Sequence, residues 1–236
     1  MCIEFFICVF QRPFRTNGPF ITEFKEKGII MRFKGDIRDM GARLLGEIDS
    51  ENENIINWKD WLQKYRFFPE YPDDPYAWIT DVLALKSVNS GNYGVGSVMF
   101  GFGNEIVAVG HNLVFSPSFR SDLHSEMVAI NYFEEENPQI TNLKGYTFYT
   151  SLEPCPMCLI RLISSDINKI HYVASDPIGG MVNGMSFLPP LWKELSEPQL
   201  FKAAQCSIEL SKAAIEIMLI NAEELLEILR KRRCNA

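Results

Sequence analysis

The alternation of apolar and polar positions predicts a regular series of strands and helices from residue 74 onward. Runs of β-branched and aromatic residues predict four strands, over residues 95–100, 105–109, 146–150 and 169–174. Apolar positions at helical spacing predict helices between them, over residues 75–88, 123–133 and 156–164. The tight connection Gly101–Asn104 joins the first two strands and predicts a hairpin. Helices are expected to dominate from residue 175 to the end of the sequence.

Residues with capping side chains set the expected helix starts. Asp74, followed by a proline, is predicted to cap the first of these helices, and Ser121 or Asp122 to cap the second. Near the end of the sequence, Asn221 is followed three positions later by Glu224, which is the spacing of a capping box. The pattern therefore predicts that a separate helix begins at Asn221.

The order of these elements predicts an α/β fold, a three-layer α/β/α sandwich with a central mixed sheet. Strand, helix and strand in succession over residues 146–174 imply a parallel pair with a crossover. The proline-rich segment 68–75 predicts a boundary, preceded by a short amphipathic helix over residues 55–68. We expect three parts, an N-terminal extension, a central domain and a C-terminal helical extension that packs on the core or a subunit interface: residues 1–72, 73–185 and 186–236.

Composition excludes several classes of protein. With 236 residues, 47% apolar and 12% aromatic, the chain can bury one sizeable core and is unlike a disordered protein. No apolar run approaches the roughly 18–20 residues of a bilayer span, so no membrane role is expected. The apolar segment 1–10 makes a poor signal peptide, because Glu4 interrupts it and no basic residue precedes it. The net charge of −7 disfavours a protein whose main task is to coat a phosphate backbone.

The cysteines point to a reduced protein with one functional pair. A chain this long and apolar does not need disulfides, and four of its six cysteines are scattered. The other two form the sequence Cys155-Pro-Met-Cys158, a spacing typical of a metal site or a redox pair. We therefore expect a cytoplasmic protein.

A histidine elsewhere in the chain favours the metal site. His124 lies in the first turn of one predicted helix, and Cys155 and Cys158 lie at the start of another. Two helix N-termini could bring these side chains together and would favour thiolates. Three nitrogen and sulfur ligands suit zinc, and a site with three protein ligands leaves a position for water. The other two histidines, His111 and His171, are expected to be satisfied strand-end or core residues.

The cysteine pair has two other interpretations, a zinc finger and a redox pair. Cys155, Cys158 and His171 match the first part of a zinc-finger pattern, but positions 175–177 hold no second histidine. A thioredoxin-like redox pair needs a strand leading into Cys-x-x-Cys at a helix start, which is predicted here, so this alternative stays open. It leaves His124 and Glu126 without a role.

The motifs carry a family resemblance. His124-Ser-Glu126 followed by Pro154-Cys155-Pro-Met-Cys158 resembles the signature of the cytidine deaminase-like superfamily of zinc deaminases. Residues 150–158, and the segment 176–180, are most similar to its tRNA adenosine deaminase and guanine deaminase branch. The resemblance covers about residues 73–185.

The resemblance implies roles for individual residues. One zinc ion per chain, with a catalytic water, would be held by His124, Cys155 and Cys158, and Glu126 would move protons. The remaining implied residues contact or approach the substrate: Asn112 through its side-chain amide, Gly96 through close backbone approach, and Ser125, which stands where alanine is more usual.

The implied function is hydrolysis of a C–N bond in a cyclic amidine. A zinc-dependent enzyme would deaminate a nucleobase, nucleoside or nucleotide, with a purine favoured, and release ammonia. Adenosine-to-inosine deamination in tRNA is the first alternative, and a catalytically silent interaction scaffold is the second. The expected partner is a small nucleobase or nucleoside, with RNA less favoured, and the family tends to form homo-oligomers.

Overall fold

A computed structural model describes residues 36–234 of the chain. The predictions for segment 1–10 and for the first 35 residues of the N-terminal extension lie outside the described residues. The strands are β1 Gly96–Phe100, β2 Ile106–His111, β3 Thr147–Leu152, β4 Lys169–Ala174 and β5 Leu200–Ala203. The helices are α1 Ile37–Gly46, α2 Glu53–Lys64, α3 Asp74–Asn89, α4 Ser125–Glu136, α5 Pro156–Ser164, α6 Pro190–Ser196 and α7 Ile208–Cys234, with a 3₁₀ helix at Val182–Phe187.

The five strands form one mixed sheet in the order β2-β1-β3-β4-β5. β1 is antiparallel to both β2 and β3, whereas β3, β4 and β5 run parallel. The predicted hairpin and the predicted parallel crossover are therefore both confirmed. In the part of the chain that the structure describes, no helix is long and apolar enough to cross a membrane.

Helices cover both faces of the sheet, which confirms the predicted three-layer sandwich. Along β1, Val98 and Phe100 point into the core beneath α3 and α7, while Met99 points into the core beneath α4. This alternation follows from the two-residue period of a strand. Each face of the sheet therefore holds its own hydrophobic cluster, and the strand ends between the clusters are available for a site.

The described part of the predicted N-terminal extension packs on α3. Leu44 of α1 and Leu62 of α2 are fully buried in the same hydrophobic cluster as Trp78. The Trp78 indole Nε1–H donates a hydrogen bond to the Leu62 carbonyl oxygen at 2.9 Å. A Cβ at Gly41 would collide with the Trp78 ring, so α1 crosses α3 at this glycine. Residues 36–67 thus share their core with the rest of the fold.

Two predicted helix starts were wrong. The N-cap position of α3 is Asp73 instead of Asp74, that of α4 is His124 instead of Ser121 or Asp122, and neither side chain makes a capping hydrogen bond. The Asp74 carboxylate accepts hydrogen bonds from the Tyr65 hydroxyl at 2.8 Å and the Ser207 backbone N–H at 2.8 Å, so it ties other segments to α3.

The C-terminal region also differs from prediction. α7 runs unbroken through Asn221, whose amide donates hydrogen bonds to the carbonyl oxygens of Val88, at 3.1 Å, and Asn92, at 3.4 Å. That side chain fastens the middle of α7 to the end of α3 and does not cap a new helix. The short strand β5 was not predicted either. It has only 4 residues, none of them buried, so its pattern carries little signal.

A prediction follows from the contact between β1 and α3. A Cβ at Gly96 would collide with the Thr80 carbonyl oxygen and lie 2.5 Å from the Leu83 Cβ. Gly96→Ala should therefore lower the free energy of unfolding by about 1–3 kcal/mol, as overpacking does, measured by urea denaturation. Gly46→Ala is the matched control, because nothing lies within 4 Å of a Cβ there. Equal stability of Gly96→Ala and the unchanged protein would contradict this packing.

Candidate metal centre and active site

Two helix N-termini meet at one end of the sheet and bring the predicted ligands together. His124 is the N-cap of α4 and Cys155 is the N-cap of α5, with Cys158 in the first turn of α5. The ligand atoms of these three residues all lie within 4.8 Å of one another. The positive ends of both helix dipoles point at this place, which favours thiolates and other anions.

A glycine sets the position of α4 against the sheet. A Cβ at Gly110, in β2, would collide with the Ser125 carbonyl oxygen and lie 2.8 Å from the Ala129 nitrogen. The absence of a side chain there lets the first turn of α4 lie directly on β2. Sequence analysis did not single out Gly110. The signal available was a glycine inside an otherwise apolar strand, which often marks the close approach of another backbone.

The three ligands already interact with one another. The His124 Nδ1 lies 3.6 Å from the Cys155 Sγ. Hydrogen bonding from the Cys158 thiol, followed by the contact with His124, lowers the pKa of Cys155 to about 4. Burial is the largest single effect and lowers the pKa of His124, but the hydrogen bond to Cys155 and the nearby charges of Cys155, Glu126 and Asp122 together outweigh it, so the net shift is upward. The lowered pKa of Cys155 favours the thiolate form that a metal ligand needs.

Glu126 lies beside this group at the bottom of the site. Its side chain is 3% exposed, and burial raises its pKa. One carboxylate oxygen, Oε2, accepts hydrogen bonds from the Ser125 hydroxyl at 3.0 Å and from the Cys158 thiol at 3.3 Å. The other, Oε1, accepts one from the Thr150 hydroxyl at 3.4 Å. These donors fix the carboxylate next to the metal ligands.

A buried network of hydroxyls supports Glu126 from below, and sequence analysis missed it. The Ser97 Oγ lies 2.6 Å from the Ser125 Oγ, and its hydroxyl donates to the Thr150 Oγ1 at 3.2 Å. All three side chains are fully buried. Ser97 and Thr150 face each other across β1 and β3. Paired hydroxyl residues inside buried strands were the available signal, because buried polar groups need partners.

The predicted substrate residues fall into two groups. Asn112 lines the cavity, and its Oδ1 accepts a hydrogen bond from the Val114 backbone N–H at 3.1 Å. Gly96 is buried where β1 approaches α3, and Ser125 is buried against Ser97 and Glu126. The structure thus gives Gly96 and Ser125 clear packing and positioning contacts, and their contact with a substrate stays a prediction.

The site opens into a cavity of about 660 Å³. Its floor includes His124, Glu126 and Cys155. Apolar side chains form much of its wall: Tyr93, Val95, Leu152, Ile178, Met218, Leu219, Ala222 and Leu226. The last four belong to α7, in the C-terminal extension that the sequence predicted to pack on the core or a subunit interface. A ring-shaped ligand would therefore lie between β-strand residues and the C-terminal helix.

The other two histidines lie outside the metal group. His171 stacks on Tyr149 with ring centroids 4.7 Å apart, which excludes the zinc-finger arrangement. His111 is buried, and burial lowers its pKa to about 4. Both are buried as predicted. However, within residues 36–234 no hydrogen-bond partner reaches Nδ1 of either ring, so the expectation that they are satisfied was wrong.

The geometry predicts which side chains hold zinc. Cys155→Ser, Cys158→Ser and His124→Ala should each abolish stoichiometric zinc binding, because each removes one of three ligands. Cys206→Ser is the matched control, since Cys206 is also a free cysteine but is not part of the ligand group. Metal analysis of the purified variants tests this. Full zinc content in any of the three ligand variants would contradict the assignment.

Part of the chain is similar to known proteins. Residues 77–174 match the family model described as the cytidine and deoxycytidylate deaminase zinc-binding region. The tRNA-specific adenosine deaminase of Bacillus subtilis is 36% identical over 99 residues, which cover 41% of this chain. The chain spans 58% of that relative's length. The description of the family model confirms zinc as the predicted metal.

Solved structures share the fold. A chain from biochemical and structural studies of A-to-I editing by tRNA:A34 deaminases matches 58% of this chain and 94% of its own length, with 22% identity and a TM-score of 0.50. A variant of NE0047 in complex with 8-azaguanine matches 74% of this chain and 97% of its own, with 16% identity and a TM-score of 0.51. Residues 77–174 are thus similar to the cytidine and deoxycytidylate deaminase zinc-binding region, in agreement with the resemblance that the motifs indicate, and the solved structures share the fold.

Proposed function

We propose that this protein is a zinc-dependent hydrolase that replaces an exocyclic amine on a nucleobase, nucleoside or nucleotide with oxygen and releases ammonia. One observation carries the proposal: His124, Cys155 and Cys158 converge beside Glu126 on the floor of a cavity. Within residues 36–234, no other histidine, cysteine or acidic side chain joins the ligand group. A site with three protein ligands leaves a position for water, as catalytic zinc sites do.

Glu126 is the residue that moves protons in this proposal. Zinc held by the three ligands supplies the Lewis acidity that activates a water molecule at neutral pH. Glu126 takes one proton of the water at Oε2 and delivers it to a ring nitrogen, and then passes the second proton of the same water, from the new C–OH group, to the departing ammonia. The Cys158 thiol donates to Oε2, but a ligating thiolate has no proton, so metal binding leaves that oxygen available.

Asn112 orients the ring. Its Oδ1 already accepts the Val114 N–H, so the amide nitrogen is the group that it offers to a substrate. Val95 and Leu152 supply apolar surface on either side of the floor. We assign Ser125 a positioning role, because its hydroxyl donates to Glu126 from a fully buried position.

A purine is the favoured substrate, and tRNA is the second candidate. The Bacillus subtilis relative acts on adenosine in tRNA according to its name, which supports both a purine and an RNA substrate. Against RNA stand the net charge of −7 and the three further acidic side chains that line the cavity, Glu153, Asp176 and Glu223. Phosphodiester groups near these carboxylates would be repelled.

Location and assembly complete the proposal. Cys155, Cys158 and Cys206 are free thiols, which suits the reducing cytoplasm. Ile208, Ile215 and Ile228 of α7 are exposed, which suits contact between copies of the chain in a homo-oligomer.

The proposal predicts the behaviour of Glu126→Gln. Ammonia release from guanine, adenosine, cytosine and cytidine should show activity of the unchanged protein on at least one of them. Glu126→Gln should lower that activity by about 10²- to 10⁴-fold while zinc content stays stoichiometric, because the amide cannot accept and return a proton. Glu135→Gln, an exposed position on the same helix, is the matched control.

The other outcomes separate the alternatives. A zinc-loaded protein without activity on any of these compounds, or on their 5′-monophosphates, would contradict a small-molecule deaminase. Formation of inosine in tRNA, lost as salt rises, would then identify the RNA substrate. A biological role that Glu126→Gln leaves unchanged would identify a silent scaffold.

A further inference from the structure

α7 has two apolar faces with different tasks. Leu210, Ala213, Ala214 and Ile217 are fully buried in the hydrophobic core beneath the sheet. Met218, Leu219, Ala222 and Leu226 instead line the cavity. Leu219 is 56% exposed although it lies on the cavity wall, so its surface is accessible to a ligand. The second face of α7 is therefore a surface for substrate and contributes little to the core.

The cavity is longer than the ring that reacts. Its lining on α7 extends from Met218 to Arg230. Twelve residues of helix span about 18 Å at the α-helical rise, much more than the width of a nucleobase. Glu126, on the floor, is nearly buried, whereas Arg230 is exposed. A substrate whose ring lies over Glu126 therefore has room for a substituent that reaches toward the exposed end.

Arg230 gives that exposed end a positive charge. Apart from His124, it is the basic side chain among the described residues that line the cavity. Glu153 and Asp176 are already engaged by backbone donors, since Glu153 accepts the Asp176 and Asn183 N–H groups and Asp176 accepts those of Ile178 and Gly179. These two carboxylates of the wall thus have partners within the protein.

The helix that carries Arg230 is held on both sides of this residue. Asn221 donates hydrogen bonds to the carbonyl oxygens of Val88 and Asn92. Two residues beyond Arg230, the Arg232 guanidinium stacks on the Phe119 ring, 3.6 Å from its centroid. These two contacts hold the α7 backbone on either side of Arg230, so the position of its Cα relative to the cavity is fixed.

We propose that Arg230 binds the phosphate of a nucleoside monophosphate whose base lies over Glu126; this inference rests on the proposed deaminase function. A guanidinium presents paired N–H donors that match the oxygens of a phosphate. A nucleoside monophosphate carries a single phosphate group, which the Arg230 guanidinium at the exposed end of the cavity can pair with. A polynucleotide would bring neighbouring phosphates toward Glu223, which lies two helical turns before Arg230 on the same face.

The test compares a base, its nucleoside and its 5′-monophosphate as substrates of the full chain loaded with zinc. We expect kcat/KM for the monophosphate to exceed that for the nucleoside by about 10- to 100-fold, the effect of a hydrogen-bonded ion pair. Arg230→Ala should remove this advantage, mainly through KM for the monophosphate, and should change the reaction of the nucleoside much less. Arg233→Ala, an exposed arginine one turn later that does not line the cavity, is the matched control and should keep the advantage.

Several results would overturn the inference. They are a nucleoside or base that reacts as well as the monophosphate, a loss in Arg230→Ala that affects all three substrates equally, and a tRNA anticodon stem-loop that reacts while the monophosphate does not.

Absence of any reaction would count against the proposed function, and binding then tests Arg230 separately. Calorimetry with zinc-loaded Glu126→Gln should show that the monophosphate binds more tightly than the nucleoside and that Arg230→Ala abolishes the difference. Equal binding of both ligands would overturn the role of Arg230 whatever the reaction.

Discussion

The close approach of β2 to the first turn of α4 is the contact on which the site depends. Because Gly110 has no side chain, the backbone around Ser125 can lie against the strand. His124 and Glu126 flank that contact, so their positions relative to the sheet are fixed by backbone packing. α5 begins just after β3, and its N-cap Cys155 therefore meets His124 at the same end of the sheet. The ligand group is a consequence of where two helices start.

α7 has two faces with different roles. Its fully buried face completes the hydrophobic core under the sheet, while residues one position further round the helix form the cavity wall. The Asn221 side-chain amide donates hydrogen bonds to the backbone carbonyl oxygens of Val88, at the end of α3, and Asn92. These bonds fix the position of α7 relative to α3. Asn92 in turn accepts the Phe115 and Ser116 N–H groups, so α7, α3 and the loop beyond Asn112 are held as one unit around the substrate space.

The sequence predicted the ligand group because its signals are local. His124-Ser-Glu126 and Cys155-x-x-Cys158 each lie within one helix turn, and their residue types specify the chemistry. The parts that were missed depend on contacts between distant segments. Nothing near Asn221 indicates that its partners are Val88 and Asn92, so a helix start was predicted in the middle of α7. The hydroxyl network of Ser97, Ser125 and Thr150 likewise exists only once β1, β3 and α4 are assembled.

The central claim is that one imidazole and two thiolates hold a zinc ion that keeps a position for water. X-ray absorption at the zinc edge of the purified full chain measures this coordination most directly. The account predicts two sulfur neighbours and two lighter neighbours, one from His124 and one from solvent. A spectrum with three or more sulfur neighbours, or one in which the second lighter neighbour is another side chain of the protein, would contradict it.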